Sequence, residues 1–200
     1  MSFNALHKTR ARNAATMIRQ GLCDAAPDAG VELIRHWPQL AGAAQDVLGT
    51  KPRIIAAYMP LRSEIDPRPL MQALTESGAG AGYDLALPCI KRKHHPLVFR
   101  RYEFGDKLKG GAYGTREPQS GAALCVPDIV LLPLLAFSRD GERLGYGGGY
   151  YDRTLAELRA SQKIFACGLA YSGQEVPTLT SGEHDQKLDG VLSEKYFRKF

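Results

Sequence analysis

The chain has 200 residues, 44% apolar and 24% charged, with a formal charge of +5. That length and balance suit one soluble globular domain, expected to run over residues 1–200. No apolar run approaches the roughly 20 residues that span a bilayer, and the first 20 residues lack the apolar core of a signal peptide.

Residues 4–20 read as a basic helix, with Leu6, Ala14, Met17 and Ile18 at helical spacing. An Arg-rich amphipathic start is also the pattern of an organelle transit peptide. DAAPDAG (24–30) breaks the helix, and a second one runs over about 31–48, disturbed by Pro38. RIIAAYM (53–59) is an apolar, partly β-branched run ended by Pro60, which predicts a buried strand. DPRPLMQALTESG (66–78) predicts a helix capped by Asp66, opened by Pro67 and stopped by Gly78. DLALP (84–88) and PLVFRRYEF (96–104) predict two more strands. DIVLLPLLAF (128–137) predicts another, cut by Pro133. YDRTLAELRAS (151–161) has Leu155 and Leu158 on one helical face, KIFACGLAY (163–171) is strand, and VLSEKYF (191–197) alternates as a last strand.

Strand alternating with helix is the pattern of an α/β fold in three layers, α/β/α, around a mostly parallel central sheet. Such sheets bind ligands beyond the carboxyl ends of their strands. The four cysteines, Cys23, Cys89, Cys125 and Cys167, form no CxxC and no His/Cys cluster. That argues against structural zinc and for reduced thiols in a cytoplasm. Lys91, Arg92, Lys93, Arg100 and Arg101 lie with His94 and His95 in a stretch (85–102) that holds no acid. A local positive patch attracts an anion, either nucleic acid or a phosphate- or carboxylate-rich small molecule. A solvated hairpin tip is the plain alternative.

GERLGYGGGYYDR (141–153) sits between a predicted strand and a predicted helix. Glycine lets backbone N–H groups approach a ligand with no Cβ in the way. Several such groups beside a helix N-terminus make an anion site. Arg143 and Arg153 can add charge-assisted hydrogen bonds. The loop is not a dinucleotide fingerprint, because Tyr150 stands where a glycine is needed, and no P-loop Gly-Lys-Ser/Thr occurs. A tight turn without a ligand fits the same glycines. Asp152 reads as a helix cap or as a magnesium ligand, since Mg²⁺ takes one or two carboxylates and completes its shell with water and phosphate. Tyr150 and Tyr151 read as core residues or as faces for a ring-bearing ligand. Glu64 in MPLRSEIDP (59–67) falls at the ligand edge of the sheet or is a surface acid. KGGAYGTREP (109–118) is a second Gly-rich loop around Tyr113, and GEHDQKLDG (182–190) holds His184, Asp185 and Asp189 before the last strand.

Together, LLPLLAFSRDGERLGYGGGYYDR (131–153), MPLRSEID (59–66), YGTREP (113–118), HDQKLDGVLSE (184–194), and Lys8 with Arg12 near the start resemble the 5-formyltetrahydrofolate cyclo-ligase family, also called 5,10-methenyltetrahydrofolate synthetase, and keep its order along the chain. The likeness spans nearly the whole chain. The resemblance implies an ATP- and Mg²⁺-dependent enzyme acting on small molecules. A cytoplasmic monomer with no nucleic acid or membrane partner is expected. It implies an ATP site at Lys8, Arg12 and the loop of Arg143, Leu144, Gly145, Tyr146, Gly147, Gly148, Gly149, Tyr150 and Tyr151. Met59, Glu64, Tyr113 and Tyr151 match positions that meet the folate. Asp152 and Asp185 match the carboxylates near magnesium, and Arg143, Tyr151 and Asp152 are the expected catalytic group. Many family members carry a lysine where this chain has Gly148 and an arginine where it has Tyr146. The cation on the ATP phosphates is then Arg143, Arg153 or Lys8.

The implied reaction phosphorylates the formyl oxygen of 5-formyltetrahydrofolate with ATP, after which N10 displaces phosphate to give 5,10-methenyltetrahydrofolate. The anionic glutamate tail of folate is the expected partner of the basic stretch. The rival readings are a basic nucleic-acid-binding protein, which would show a steep salt dependence for RNA, and a same-fold enzyme with another substrate.

Overall fold

The computed structural model describes residues 3–76 and 82–200. Helix α1 (Phe3–Ala25) is followed after a short break by α2 (Ala29–Leu48), which closes on Gly49 in the left-handed region. Pro38 lies inside α2 and does not interrupt it, contrary to the expected disturbance. Leu33, Trp37, Leu40 and Ala44 are buried along one stripe, and that burial offsets the backbone hydrogen bond that proline removes. Strand β1 (Ile54–Ala56) is shorter than expected and starts where the Asp128 carboxylate accepts the N–H groups of Arg53 and Ile54, at 2.8 and 2.9 Å. Helix α3 (Arg68–Thr75) begins after Pro67, and Asp66 accepts the Arg68 N–H at 2.9 Å. Gly78, expected to stop this helix, lies outside the described residues, as does the Leu6 side chain.

The chain then forms β2 (Asp84–Cys89), β3 (Val98–Tyr102), the hairpin β4 (Leu108–Gly110) and β5 (Arg116–Pro118), and β6 (Leu124–Cys125). Strand β7 (Ile129–Pro133) ends at its proline. The remainder of the expected strand leaves the sheet as β8 (Ala136–Phe137), which pairs antiparallel with β9 (Arg143–Leu144). Helix α4 (Tyr150–Ser161) and β10 (Phe165–Leu169) follow. Residues 191–197 are not one strand. They are the end of β11 (Gly190–Leu192) and the start of β12 (Phe197–Lys199), which pair antiparallel. The turn forms because the Ser193 hydroxyl accepts the N–H groups of Lys195 and Tyr196, at 3.3 and 3.1 Å.

The main sheet has eight strands in the order β12-β11-β10-β7-β1-β2-β3-β6. The run from β11 to β2 is parallel, and the strands beyond it on either side are antiparallel. Alternation divides the core. Ile129, Leu131, Phe165, Cys167 and Leu169 face α2 and α3, while Val130, Leu132 and Ala166 face α4 through Leu155. Helices thus cover both faces, and the expected three-layer α/β/α architecture holds. The chain leaves β1 toward β2 on one side and returns to β7 on the other. The carboxyl ends of β1 and β7 therefore bound a topological switch point, where open α/β sheets place ligands. Helix α1 lies across that edge: Ala15 packs on Leu135 and Ala136, and the Arg19 guanidinium donates to the Leu134 carbonyl at 3.3 Å.

Candidate active site

At the end of β1 the chain turns sharply, with Arg62 at φ 57°, and buries Glu64. One carboxylate oxygen accepts the Leu61 N–H at 2.8 Å, and the other accepts the Tyr146 hydroxyl. The Tyr146 hydroxyl also takes a hydrogen bond from Arg19, which is 1% exposed and stands 4.0 Å from Glu64. Burial pushes the Glu64 carboxyl above its ordinary value, while Tyr146, the Leu61 N–H, Arg19 and Arg62 pull it back. The phenols of Tyr58, Tyr146 and Tyr151 are all pushed up, first by burial and then by the negative charge of Glu64. A buried acid thus sits among three neutral phenols at the switch point.

The glycine loop enters from the β8–β9 hairpin rather than from a core strand. Gly147 and Gly149 have φ of +93° and +65°, which side chains adopt only with strain. A Cβ on Gly147 would also stand 3.0 Å from the Arg12 guanidinium carbon. Arg12 itself donates to the Gly145 carbonyl at 2.9 Å. Among the described residues, the N–H groups of Gly147, Gly148 and Gly149 donate to no backbone carbonyl. These amides lie next to the start of a 12-residue helix, where the helix dipole favours negative charge.

Arg143 does not project toward solvent. Its side chain is 5% exposed, clamped between the Asp152 carboxylate and the Gln186 carbonyl. The same Asp152 oxygen accepts the Gln186 N–H at 3.1 Å. Asp185 is the next residue back along that loop; it accepts the Gly182 N–H at 2.7 Å and pairs with Lys8 at 3.5 Å. Across the mouth, Tyr113 at φ 61° carries an exposed ring that meets Tyr150 at 6.1 Å between centroids, with hydroxyls 3.5 Å apart. The Gly114 turn of that hairpin approaches the Leu61 side chain, so the hairpin and the Glu64 turn face one another.

The sequence of residues 43–194 matches the model of the 5-formyltetrahydrofolate cyclo-ligase family. The chain belongs to that family. It is 34% identical over 142 residues to the 5-formyltetrahydrofolate cyclo-ligase of Haemophilus influenzae, covering 69% of this chain and 74% of that one. It is 29% identical over 192 residues to the Mycolicibacterium smegmatis cyclo-ligase, covering 94% of each. Its fold matches the Aquifex aeolicus 5,10-methenyltetrahydrofolate synthetase with a TM-score of 0.72 at 25% identity, over 96% of this chain and 92% of that one.

Within this cyclo-ligase fold the expected residues fall into three groups. The Tyr146 hydroxyl and partly buried Tyr151 gather at buried Glu64 although Tyr146 as a whole is 48% exposed, and half-buried Met59 packs on the adjoining core. Lys8, Arg143, Asp152 and Asp185 form a polar wall with the 182–187 loop. Arg12, Gly145, Gly147, Gly148, Gly149, Tyr150 and Tyr113 frame the opening. Leu144 packs under α1 against Ala15, Leu135 and Ala136. Of the basic stretch, Arg100 is bound to the Ala122 carbonyl and Arg101 to Asp84, while Lys91, Arg92 and Lys93 stay exposed.

Sequence reasoning missed Arg19, Ser63, Gln174 and Thr154, all buried. Ser63 accepts from Arg19 at 3.2 Å, and Gln174 holds the Leu134 and Leu135 carbonyls at 2.9 and 3.0 Å. Thr154 accepts the Leu97 N–H at 2.8 Å, which fixes the basic turn to α4. A signal for Arg19 was present: Lys8, Arg12, Ala15 and Arg19 follow helical spacing and share one face.

Proposed function

We propose that the chain closes 5-formyltetrahydrofolate to 5,10-methenyltetrahydrofolate at this edge of the sheet, with ATP and Mg²⁺. The observation that carries the reading is the juxtaposition of a bare amide loop and a buried, tyrosine-lined carboxylate across one switch point. The formyl oxygen takes the γ-phosphoryl group and ADP departs. The N10 lone pair then attacks the activated carbon, the carbon–oxygen bond breaks, phosphate leaves with that oxygen, and N10 gives up its proton. This chemistry asks the protein chiefly to align and neutralise. The loop amides and Arg12 receive the triphosphate. Glu64 accepts from an N–H of the reduced pterin, and the Tyr113–Tyr150 pair borders the opening.

Among the described residues no three His, Cys, Asp or Glu side chains are grouped to hold a metal ion. Asp152 and Asp185 each use a single oxygen in the contacts above, which suits an ion held mainly by phosphate and water. Those two carboxylates would hold Mg²⁺, which supplies positive charge to the transferring phosphoryl group.

The test is the absorbance of the methenyl product from 5-formyltetrahydrofolate, with ATP or Mg²⁺ withheld in turn. Product and ADP should form together only in the complete mixture. Product without ATP, or ATP hydrolysis indifferent to the folate, would overturn the reading.

A pH signature follows from Glu64. Its folded pKa lies above the unfolded value. Protonated Glu64 therefore favours the fold below the unfolded value, and this contribution is lost as pH rises through the folded one. Substrate binding needs the carboxylate, so the acid limb of kcat/KM should lie above that of an ordinary glutamate. Tyr146→Phe removes a hydrogen bond that holds this carboxyl down, and should move the acid limb to still higher pH. A superimposable pH profile would refute the role of Glu64.

A further inference from the structure

We infer that Arg153 is the cation that meets the terminal phosphates of the nucleotide, an assignment that rests on the ATP reading above. Lys8 pairs with Asp185, and Arg143 is held under the loop by Asp152 and Gln186. Arg12, already assigned to the triphosphate, commits its Nε to the Gly145 carbonyl, whereas the Nε of Arg153 is unmet.

Arg153 has no carboxylate partner among the described residues. Its side chain folds back from the first turn of α4 over the glycine loop. One terminal nitrogen donates to the Gly148 carbonyl at 2.7 Å, and the guanidinium lies over the Tyr150 ring at 5.4 Å. The other terminal nitrogen is 2.6 Å from where a Cβ on Gly149 would be, so the arginine fills space that only a glycine leaves open. Its Nε is buried with no hydrogen-bond partner.

A positive charge at a helix N-terminus opposes the helix dipole, which favours anions there. The arrangement is therefore incomplete: a cation without a carboxylate, an unmet N–H and loop amides without a carbonyl partner occur within residues 147–153. A polyanion supplies what all three lack. Guanidinium suits it better than ammonium, because its donor fork matches two phosphate oxygens at once.

The experiment is calorimetric titration of the full chain with ATP, ADP and AMP in the presence of Mg²⁺, and separately with 5-formyltetrahydrofolate. In the wild type, affinity should rise with the number of phosphates. Arg153→Ala should lose about tenfold to a hundredfold for ATP and far less for AMP, the range expected for charge-assisted hydrogen bonds. Its folate affinity should stay within about twofold, and Arg153→Lys should recover part of the ATP loss. Unchanged ATP affinity in Arg153→Ala overturns the assignment. So does an equal loss for ATP, AMP and folate, which would make the arginine a prop for the loop and Tyr150. A wild type that binds no nucleotide sinks the ATP reading itself, and Arg153 with it, before any variant is compared. Thermal midpoints of both variants identify a misfolded chain; if Arg153→Ala fails to fold, Arg153→Lys decides, since weaker ATP binding with unchanged folate binding supports the role, whereas unchanged ATP affinity or a parallel loss for folate refutes it.

Discussion

Asp152→Asn should lower kcat by about a hundredfold or more, the scale seen when one preorganised charge-stabilising group is lost. The substitution keeps the shape and an acceptor oxygen, so the Gln186 N–H retains its partner. What disappears is negative charge, and two dependents lose it together. One is the magnesium ion proposed at this carboxylate. The other is Arg143, whose buried guanidinium has Asp152 as its ion-pair partner. The variant should therefore also lose stability, roughly 1–3 kcal/mol for an imperfectly matched buried group. Asp185→Asn separates the two effects. Asp185 is 37% exposed, so its loss should disturb turnover with little change in thermal midpoint. The measurement is kcat at saturating ATP across a range of Mg²⁺ concentrations, beside a melting curve. Near-wild-type kcat for Asp152→Asn at limiting Mg²⁺ would remove Asp152 from the metal.

Arg19→Met should be the most destabilising single change near the site. Arg19 is almost wholly enclosed, and it supplies the cation facing Glu64, reinforced through the shared Tyr146 hydroxyl. Removing one partner of a buried pair typically costs about 3–5 kcal/mol, because the other charge is left in a poor dielectric. For a chain of this size that is a fall in Tm of about 10 °C. The double variant Arg19→Met, Glu64→Gln should recover much of the loss, since it leaves no buried charge. Denaturant titrations of the two singles and the double form a closed cycle. A single Arg19→Met within about 1 kcal/mol of wild type would mean that Glu64 is held by Leu61 and Tyr146 without needing the cation.

Much of this was legible from residue order. Continuous apolar runs at 129–132 and 165–169 marked strands buried on both faces, and the glycines from 145 to 149 marked the loop that begins α4. The helical face of residues 4–20 was read backwards. Met17 and Ile18 are 77% and 54% exposed, whereas Arg19 is enclosed. Periodicity assigns apolar residues to the inside, but the surface that α1 covers is the polar edge of a sheet, carrying Glu64 and free carbonyls. There a guanidinium finds more partners than a methyl group does. The short hairpins β4–β5 and β8–β9 left no trace either, because two- and three-residue strands have no period to detect. The inward direction of Tyr146 and the clamping of Arg143 depend on contacts across 82 and 43 positions of chain, beyond what local pattern carries.

The lone tryptophan, Trp37, has a practical bearing on both experiments. It is buried in α2 and meets Tyr83 edge-on at 5.6 Å, just ahead of the amino end of β2 and so at the opposite rim of the sheet from Glu64. Tyrosines 113, 146, 150 and 151 crowd the other rim. Indole emission should therefore report unfolding of the core around α2 rather than rearrangement of the glycine loop.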